Sequence, residues 1–101
     1  MEQIARIQQM EQCLDQATEA TQHLFAALEK YKEAQSAIQS LSTYLSSGEW
    51  QKDYEADEAG LLPKDLKRGV LSQDGIWNVL GDCYELNIQM LELVTYQLKN
   101  K

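Results

Sequence analysis

The sequence has few of the residues that mark loop-rich or metal-binding proteins. Its 101 residues include one proline, five glycines, two cysteines and one histidine. So few turn-forming residues disfavour an all-β fold, because such a fold needs a turn after nearly every strand. A single histidine and two distant cysteines do not supply the four ligands of a structural zinc site. We therefore expect a helical protein with no metal ion and no other cofactor.

The sequence also lacks a membrane or secretion signal. No apolar run approaches the roughly 18 residues of a membrane helix. The opening residues place Glu2 near Arg6 and contain no continuous apolar core, unlike a secretory signal. Without such a signal, Cys13 and Cys83 are expected to be reduced thiols of a soluble cytoplasmic protein.

Positive charge is scarce. Nine lysines and arginines face 16 aspartates and glutamates, for a net charge of −7. Nucleic acids and anionic membranes would repel such a chain at long range. We therefore expect neither as a partner. The acidity is typical of a solvated surface, although an acidic regulator of a basic partner remains an alternative.

The first long segment, residues 2 to about 46, contains no glycine or proline. Apolar residues recur in it at steps of three and four, which is the heptad spacing of a helix that packs along one stripe. The strongest members of this stripe are Ile7, Met10, Leu14, Leu24, Leu28, Tyr31, Ile38 and Leu45. The pattern predicts one continuous helix over about 2–46.

The next segment, residues 47–71, is called the elbow here. Ser46, three residues before Glu49, fits a capping box, so we expect a short helix over about 48–58 that ends near Gly60. Such dense local signals are unusual in a mere connector between helices. We therefore predict an ordered elbow.

A third helix is predicted over about 73–98. Ser72 is its candidate N-cap, and Leu71 and Ile76 are spaced as a hydrophobic staple. Its polar residues form one narrow line, so the helix needs neighbours on more than one side. Either the first helix bends back into a bundle, or two copies of the chain pair through this helix. We favour the dimer, because nothing in the sequence breaks the first helix.

Together these segments predict an all-α fold with a single domain over 1–101. The long first helix is expected to pack with the shorter C-terminal helix through the elbow. The result would be a helical bundle or a coiled-coil-like hairpin.

The elbow carries an unusual motif. It consists of SGEWQKDYEADEAG, from Ser47 to Gly60, and LPKDLKRGVLS, from Leu62 to Ser72. These stretches, with the opening MEQIARI and the later MLEL, resemble a bacterial family of domains of unknown function, family 4298. The resemblance covers nearly the whole chain. It implies a small helical bacterial protein and supplies no activity, substrate or catalytic residue.

Charged side chains of both signs cluster in the elbow. The candidate partner-binding residues are Asp53, Asp57, Lys64, Lys67 and Arg68. The basic residues could pair with the neighbouring aspartates, which would contribute little at an exposed site. Alternatively, they form a site for an anion or an acidic peptide. We expect the three basic side chains to point outward, while Trp50, Tyr54, Leu62 and Leu66 pack against the end of the bundle.

No motif for a chemical reaction is present. The chain lacks a glycine-rich phosphate loop, a nucleophile elbow and a His/Asp arrangement, so we predict no catalytic residues. The favoured hypothesis is a non-enzymatic helical protein-interaction or structural module that binds a protein partner or forms a homodimer. The alternative is a small ligand-binding protein or enzyme that uses Asp53, Asp57, Lys67 and Arg68.

Overall fold

Helices make up nearly all the regular structure. The computed structural model describes residues 2–72 and 74–101. Its elements in chain order are α1 (Glu2–Glu33), α2 (Gln35–Ser46), α3 (Glu49–Glu58), a short 3-10 helix (Gly69–Leu71) and α4 (Gly75–Lys99). These described residues contain no β-strand. The predicted all-α fold is confirmed.

The contacts divide the chain into two compact units. One extends to Ser36 and the other, called here the C-terminal unit, is Ala37–Lys101. The first unit consists mainly of α1, in which every described residue before Tyr31 is exposed. The C-terminal unit holds the elbow and α4. The single-domain organisation stays a prediction.

The predicted helix over 2–46 is interrupted at Ala34. α1 ends at Glu33 and α2 begins at Gln35. The side-chain amide of Gln35 donates a hydrogen bond of 3.0 Å to the carbonyl of Tyr31. In a regular helix this carbonyl would accept the backbone amide of Gln35. A side chain that competes for a backbone acceptor therefore marks the break, without glycine or proline.

The start of α3 differs from the predicted capping box. The hydroxyl of Ser46 donates backwards to the carbonyl of Thr43 at 3.2 Å. The amide of Glu49 is instead bound by the hydroxyl of Ser47, at 3.3 Å. Between them Gly48 has a φ of 88°, in the left-handed region that favours glycine. The chain thus turns at Ser47 and Gly48. Gly48 is the N-cap residue of α3 and offers no side chain to cap the helix, so the predicted capping box does not form.

The end of α3 follows the prediction. Gly60 has a positive φ of 73°, and its amide donates to the carbonyl of Asp57 at 3.0 Å. The next amide, of Leu61, reaches back to the carbonyl of Ala56 at 3.0 Å. This pair of bonds is the Schellman motif, which satisfies the last carbonyls of a helix. The chain leaves α3 at a defined angle and enters the loop of the elbow.

The start of α4 is the best packed part of the described structure. The N-cap residue of α4 is Asp74, two residues after the predicted Ser72. Ser72 nevertheless accepts a hydrogen bond from the amide of Gly75 at 3.1 Å and donates one to the carbonyl of Gly69 at 2.8 Å. The predicted staple residues beside it, Leu71 and Ile76, are only 6% and 3% exposed. Among the described hydrophobic residues, only these two are buried. They fix the elbow to the first turn of α4.

Two glycines of α4 are expected to respond oppositely to alanine. A Cβ on Gly75 would lie 2.7 Å from the Ser72 hydroxyl and 2.8 Å from the Gly69 carbonyl, whereas a Cβ on Gly81 meets nothing within 4 Å. Gly75→Ala should lower the free energy of unfolding by about 1–3 kcal/mol, because the packed turn must move. Gly81→Ala should raise it by about 0.5–1 kcal/mol through helix propensity. Urea unfolding followed by circular dichroism measures both. Equal effects of the two substitutions would contradict the packing at Gly75.

Candidate functional site

A tryptophan closes the elbow onto itself. The indole N–H of Trp50, in α3, donates a hydrogen bond of 2.9 Å to the carbonyl of Val70, in the 3-10 helix. The Trp50 ring also stacks on Tyr54, with the ring centroids 5.0 Å apart and the planes at 18°. Such stacking adds to the stabilisation that comes from burying the rings. The contact ties together residues 20 positions apart and makes the elbow a folded substructure.

An ion pair forms the second tie. The Arg68 guanidinium lies 2.5 Å from a carboxylate oxygen of Asp57, with the two side chains 35% and 19% exposed. Arg68 also donates to the carbonyl of Pro63 and, at 3.3 Å, to the carbonyl of Leu66. A planar guanidinium suits this role because its N–H groups point in several fixed directions. The prediction that Arg68 points outward is therefore wrong.

A third contact joins α2 to α3. The hydroxyl of Tyr44 donates a hydrogen bond of 2.5 Å to Asp53. Burial raises the pKa of Tyr44 to about 12, and the hydrogen bond to Asp53 and the charges of Asp53 and Glu49 act in the same direction. All of these effects favour the neutral phenol over the phenolate. Tyr44 therefore stays a hydrogen-bond donor far above neutral pH.

This contact predicts a stability change at alkaline pH. The ordinary pKa of tyrosine is about 10, whereas that of Tyr44 in the folded chain is raised to about 12. Between these values only the unfolded chain loses the Tyr44 proton, so stability should fall as the pH rises through this window. Below about pH 10 the contribution is fully present. The measurement is urea unfolding at several pH values, with Tyr44→Phe as the control. A loss of the same size in Tyr44→Phe would assign the effect to other groups.

These contacts enclose a groove in the C-terminal unit. Its volume is about 360 Å³, and it is lined by Tyr44, Asp53, Leu62, Leu66, Lys67, Val70 and Leu71. The apolar lining comes from the loop of the elbow and the 3-10 helix, while Tyr44 and Asp53 come from α2 and α3. A groove with an apolar lining and a few polar groups is the usual form of a binding site. We call it the elbow groove.

The structure separates the five predicted site residues into three environments. Asp57 and Arg68 form the internal ion pair. Asp53 and Lys67 line the elbow groove. Lys64 is exposed, and within residues 2–72 and 74–101 neither Lys64 nor Lys67 forms an ion pair. Their role in binding a partner stays a prediction.

Sequence reasoning missed two members of the groove. Tyr44 lies nine residues from Asp53 in an otherwise ordinary helical stripe. Val70 contributes both its side chain to the groove and its carbonyl to Trp50. No short-range pattern identifies either role. The contact of Tyr44 with Asp53 depends on the turn between α2 and α3, and the position of Val70 depends on how the chain returns after Gly60. The spacing of apolar residues predicts burial and says nothing about such cross-contacts.

Two other features are absent from the described residues. No group of three or more His, Cys, Asp or Glu side chains there is placed to hold a metal ion. In the same part of the chain, none of the helices has the length and apolar character needed to cross a membrane.

The chain matches the model of one protein family. A family model described as "Domain of unknown function (DUF4298)" matches residues 7–93. The chain belongs to this family. The matched range contains the whole elbow, its groove and most of α4. These features therefore lie in the part of the chain that matches the family model. No curated protein and no solved structure shows significant similarity to the chain.

Proposed function

We propose that the chain is a non-enzymatic helical protein-interaction module whose elbow groove binds a segment of another protein. The observation that carries this proposal is the groove itself, held by the Trp50, Arg68 and Tyr44 contacts. A loop that only connected two helices would need about two to eight residues and no such internal ties. The free thiols Cys13 and Cys83 suit the reducing cytoplasm, where we place the module.

The chemistry of the groove favours an acidic segment with an apolar anchor. Leu62, Leu66, Val70 and Leu71 offer an apolar lining that a bulky aliphatic or aromatic side chain would fill. Beside it, Lys67 and the nearby Lys64 are exposed cations with no ion pair among the described residues. A carboxylate of the partner would pair with these lysines at short range, which would fix the orientation of the bound segment.

A binding function fits the elbow better than catalysis. A general acid or base needs a carboxylate that can reach a substrate and change its protonation. Asp57 is held by Arg68 at 2.5 Å, and Asp53 accepts the Tyr44 hydroxyl at 2.5 Å. Both acids of the candidate cluster are thus engaged in structural contacts.

A peptide selection with matched variants tests the proposal. The probe is a random-sequence peptide display library, selected on the full chain at low salt. We expect enrichment of peptides that carry a large apolar residue next to aspartate or glutamate. Because Lys67 and Leu66 line the groove, Lys67→Glu and Leu66→Glu should each weaken the selected peptides by about tenfold or more.

The control variant is Lys52→Glu. Lys52 is an exposed lysine of α3 that does not line the groove. Lys52→Glu alters the net charge by the same amount as Lys67→Glu, but it should leave the affinity for the peptides nearly unchanged. Selection of basic peptides, or equal losses in Lys52→Glu and Lys67→Glu, would show that the groove is not the binding site. Failure to enrich any peptide would also contradict the proposal.

A further inference from the structure

We infer that α4 pairs with α4 of a second copy of the chain in an antiparallel arrangement. The inference concerns a surface distinct from the elbow groove and does not depend on the proposed function. Its starting point is a straight row of apolar side chains seven residues apart, Trp77, Tyr84, Leu91 and Leu98. Residues at this spacing lie on one stripe of a helix and form the seam of paired helices.

The row is uncovered in the described structure. Trp77, Tyr84, Leu91 and Leu98 are 63%, 70%, 68% and 71% exposed. Scattered exposed apolar residues are normal on a protein surface, but a continuous row of four large ones is a mark of an interface. Ile88 lies at the midpoint of the row and on the same side of the helix.

The exposed area suits a second copy. At ~200 Å² for each large side chain, the four exposures of 63–71% amount to roughly 500 Å² of apolar area on one helix. Two copies would therefore bury about 1,000 Å² from these side chains alone, which is the lower bound for a stable biological interface. Val94, which lies one turn from both Leu91 and Leu98 and is 50% exposed, would add to this area.

The charges of α4 favour the antiparallel direction. Asp74 directly precedes α4 and Lys99 and Lys101 stand at its C-terminal end, while the acids Asp82, Glu85 and Glu92 are spread along its middle. An antiparallel pair centred near Ile88 places the basic end of one helix beside Asp74 of the other, twice, by two-fold symmetry. A parallel pair would set acids beside acids and lysines beside lysines, and it would align the helix dipoles unfavourably. Self-complementarity of this kind points to a second copy instead of an unrelated protein.

This arrangement has a consequence for the elbow. The elbow is fixed to the first turn of α4 through Leu71 and Ile76. Twenty-five residues of helix span about 37 Å, so an antiparallel pair carries its two elbows at opposite ends. The dimer would present two elbow grooves facing separate partner segments, which is the geometry of a bivalent linker.

The oligomeric state tests the pairing. Light scattering coupled to gel filtration of the full chain should give twice the 11.6 kDa of a single chain. Leu91→Glu places a charge in the row and should raise the dissociation constant about 100-fold or more, because the charge would be buried without a partner. The matched control is Tyr96→Glu, a substitution of an equally exposed side chain (65%) on the polar line of the same helix, which should remain a dimer. Circular dichroism confirms that both variants keep their helix content.

Disulfide formation tests the direction. In a background with Cys13→Ser and Cys83→Ser, Ile88→Cys lies near the two-fold axis and should cross-link in the oxidised dimer. Leu98→Cys should not, since its two copies would be about 30 Å apart in an antiparallel pair. Efficient cross-linking of Leu98→Cys would show a parallel pair and overturn the inference. A wild-type chain that is monomeric would overturn it as well, and would mean that another part of the same chain or another protein covers the row.

These outcomes are separable from those of the peptide selection. A monomeric chain that still selects acidic peptides through Lys67 would refute the pairing and support the elbow groove. A dimer that selects no peptide would do the reverse.

Discussion

Ile76→Ala is expected to lower the free energy of unfolding of the C-terminal unit by about 2–4 kcal/mol. Ile76 is 3% exposed, and removing a buried isoleucine side chain loses its transfer free energy and leaves a cavity. Few other residues share this burial, so the neighbours have little packed surface with which to fill the space. Trp50 and Trp77 both lie in this unit, so tryptophan fluorescence during urea unfolding follows the relevant transition.

The control for this prediction is Leu61→Ala. Leu61 is 75% exposed, so the same kind of truncation should change stability by less than about 0.5 kcal/mol. Because Leu71 packs at the same junction and lines the groove, Ile76→Ala should also weaken any peptide selected on the elbow. A loss below about 1 kcal/mol in Ile76→Ala would mean that α4 is not anchored through this residue.

The approximate start of α4 could be predicted from the sequence because the residues that indicate it are close together in the chain. Leu71 and Ile76 lie within six residues and follow a rule that needs only neighbouring positions. Ser72 bonds the first turn of α4, although the N-cap residue is Asp74. The end of α3 at Gly60 is equally local, since a left-handed residue there completes the Schellman bonds. Where a few adjacent residues decide the geometry, composition and spacing are sufficient.

The break at Ala34 could not be seen in the same way. The feature that accompanies it is a hydrogen bond from the Gln35 side chain to the Tyr31 carbonyl, and glutamine is otherwise a good helix former. A hydrophobic pattern reports which face is apolar, and that face continues past the break. The pattern therefore predicts a longer helix than the chain forms.

The orientation of the charged side chains in the elbow could not be predicted from the sequence, for a different reason. Asp57 and Arg68 are 11 residues apart across a helix end and a loop, and Lys64 and Lys67 are both closer to Asp57 in sequence. Which cation turns inward depends on the path of the loop, and this path is set by Trp50 binding the carbonyl of Val70. The sequence predicted the cluster of charged residues. In the structure, Arg68 and Asp57 form an internal ion pair, whereas Lys67 lines the groove.

This division gives the elbow charges separable roles. Arg68 supports the frame from inside, with a side chain 35% exposed, whereas Lys67 stands in the groove. A neutral replacement at each position should therefore affect different properties, namely stability at Arg68 and partner binding at Lys67. The comparison uses two basic residues that are adjacent in sequence, so their local environments along the chain are closely matched.

Arg68→Met is accordingly expected to lower the free energy of unfolding by about 1–3 kcal/mol. The substitution keeps much of the apolar stem but removes the donors that bind Asp57, Pro63 and Leu66. Hydrogen bonds from a charged group contribute more than neutral ones, and the partly buried Asp57 would be left without its cation. Arg68→Lys should recover only part of the loss, because one ammonium cannot reach a carboxylate and two carbonyls in the same fixed directions.

Lys67→Met provides the reference, with an expected change below about 0.5 kcal/mol. A double-mutant cycle of Asp57→Asn with Arg68→Met should give a coupling of about 1 kcal/mol, since these side chains are only partly shielded from solvent. The remaining loss at Arg68 then comes from the two carbonyls, which hold the loop between Pro63 and Leu66 in its turn. If Arg68→Met and Lys67→Met are equally stable, the guanidinium contributes nothing to the frame. The folded structure of the elbow would then depend on the hydrogen bond of Trp50, and Trp50→Phe should lower the free energy of unfolding where Arg68→Met does not.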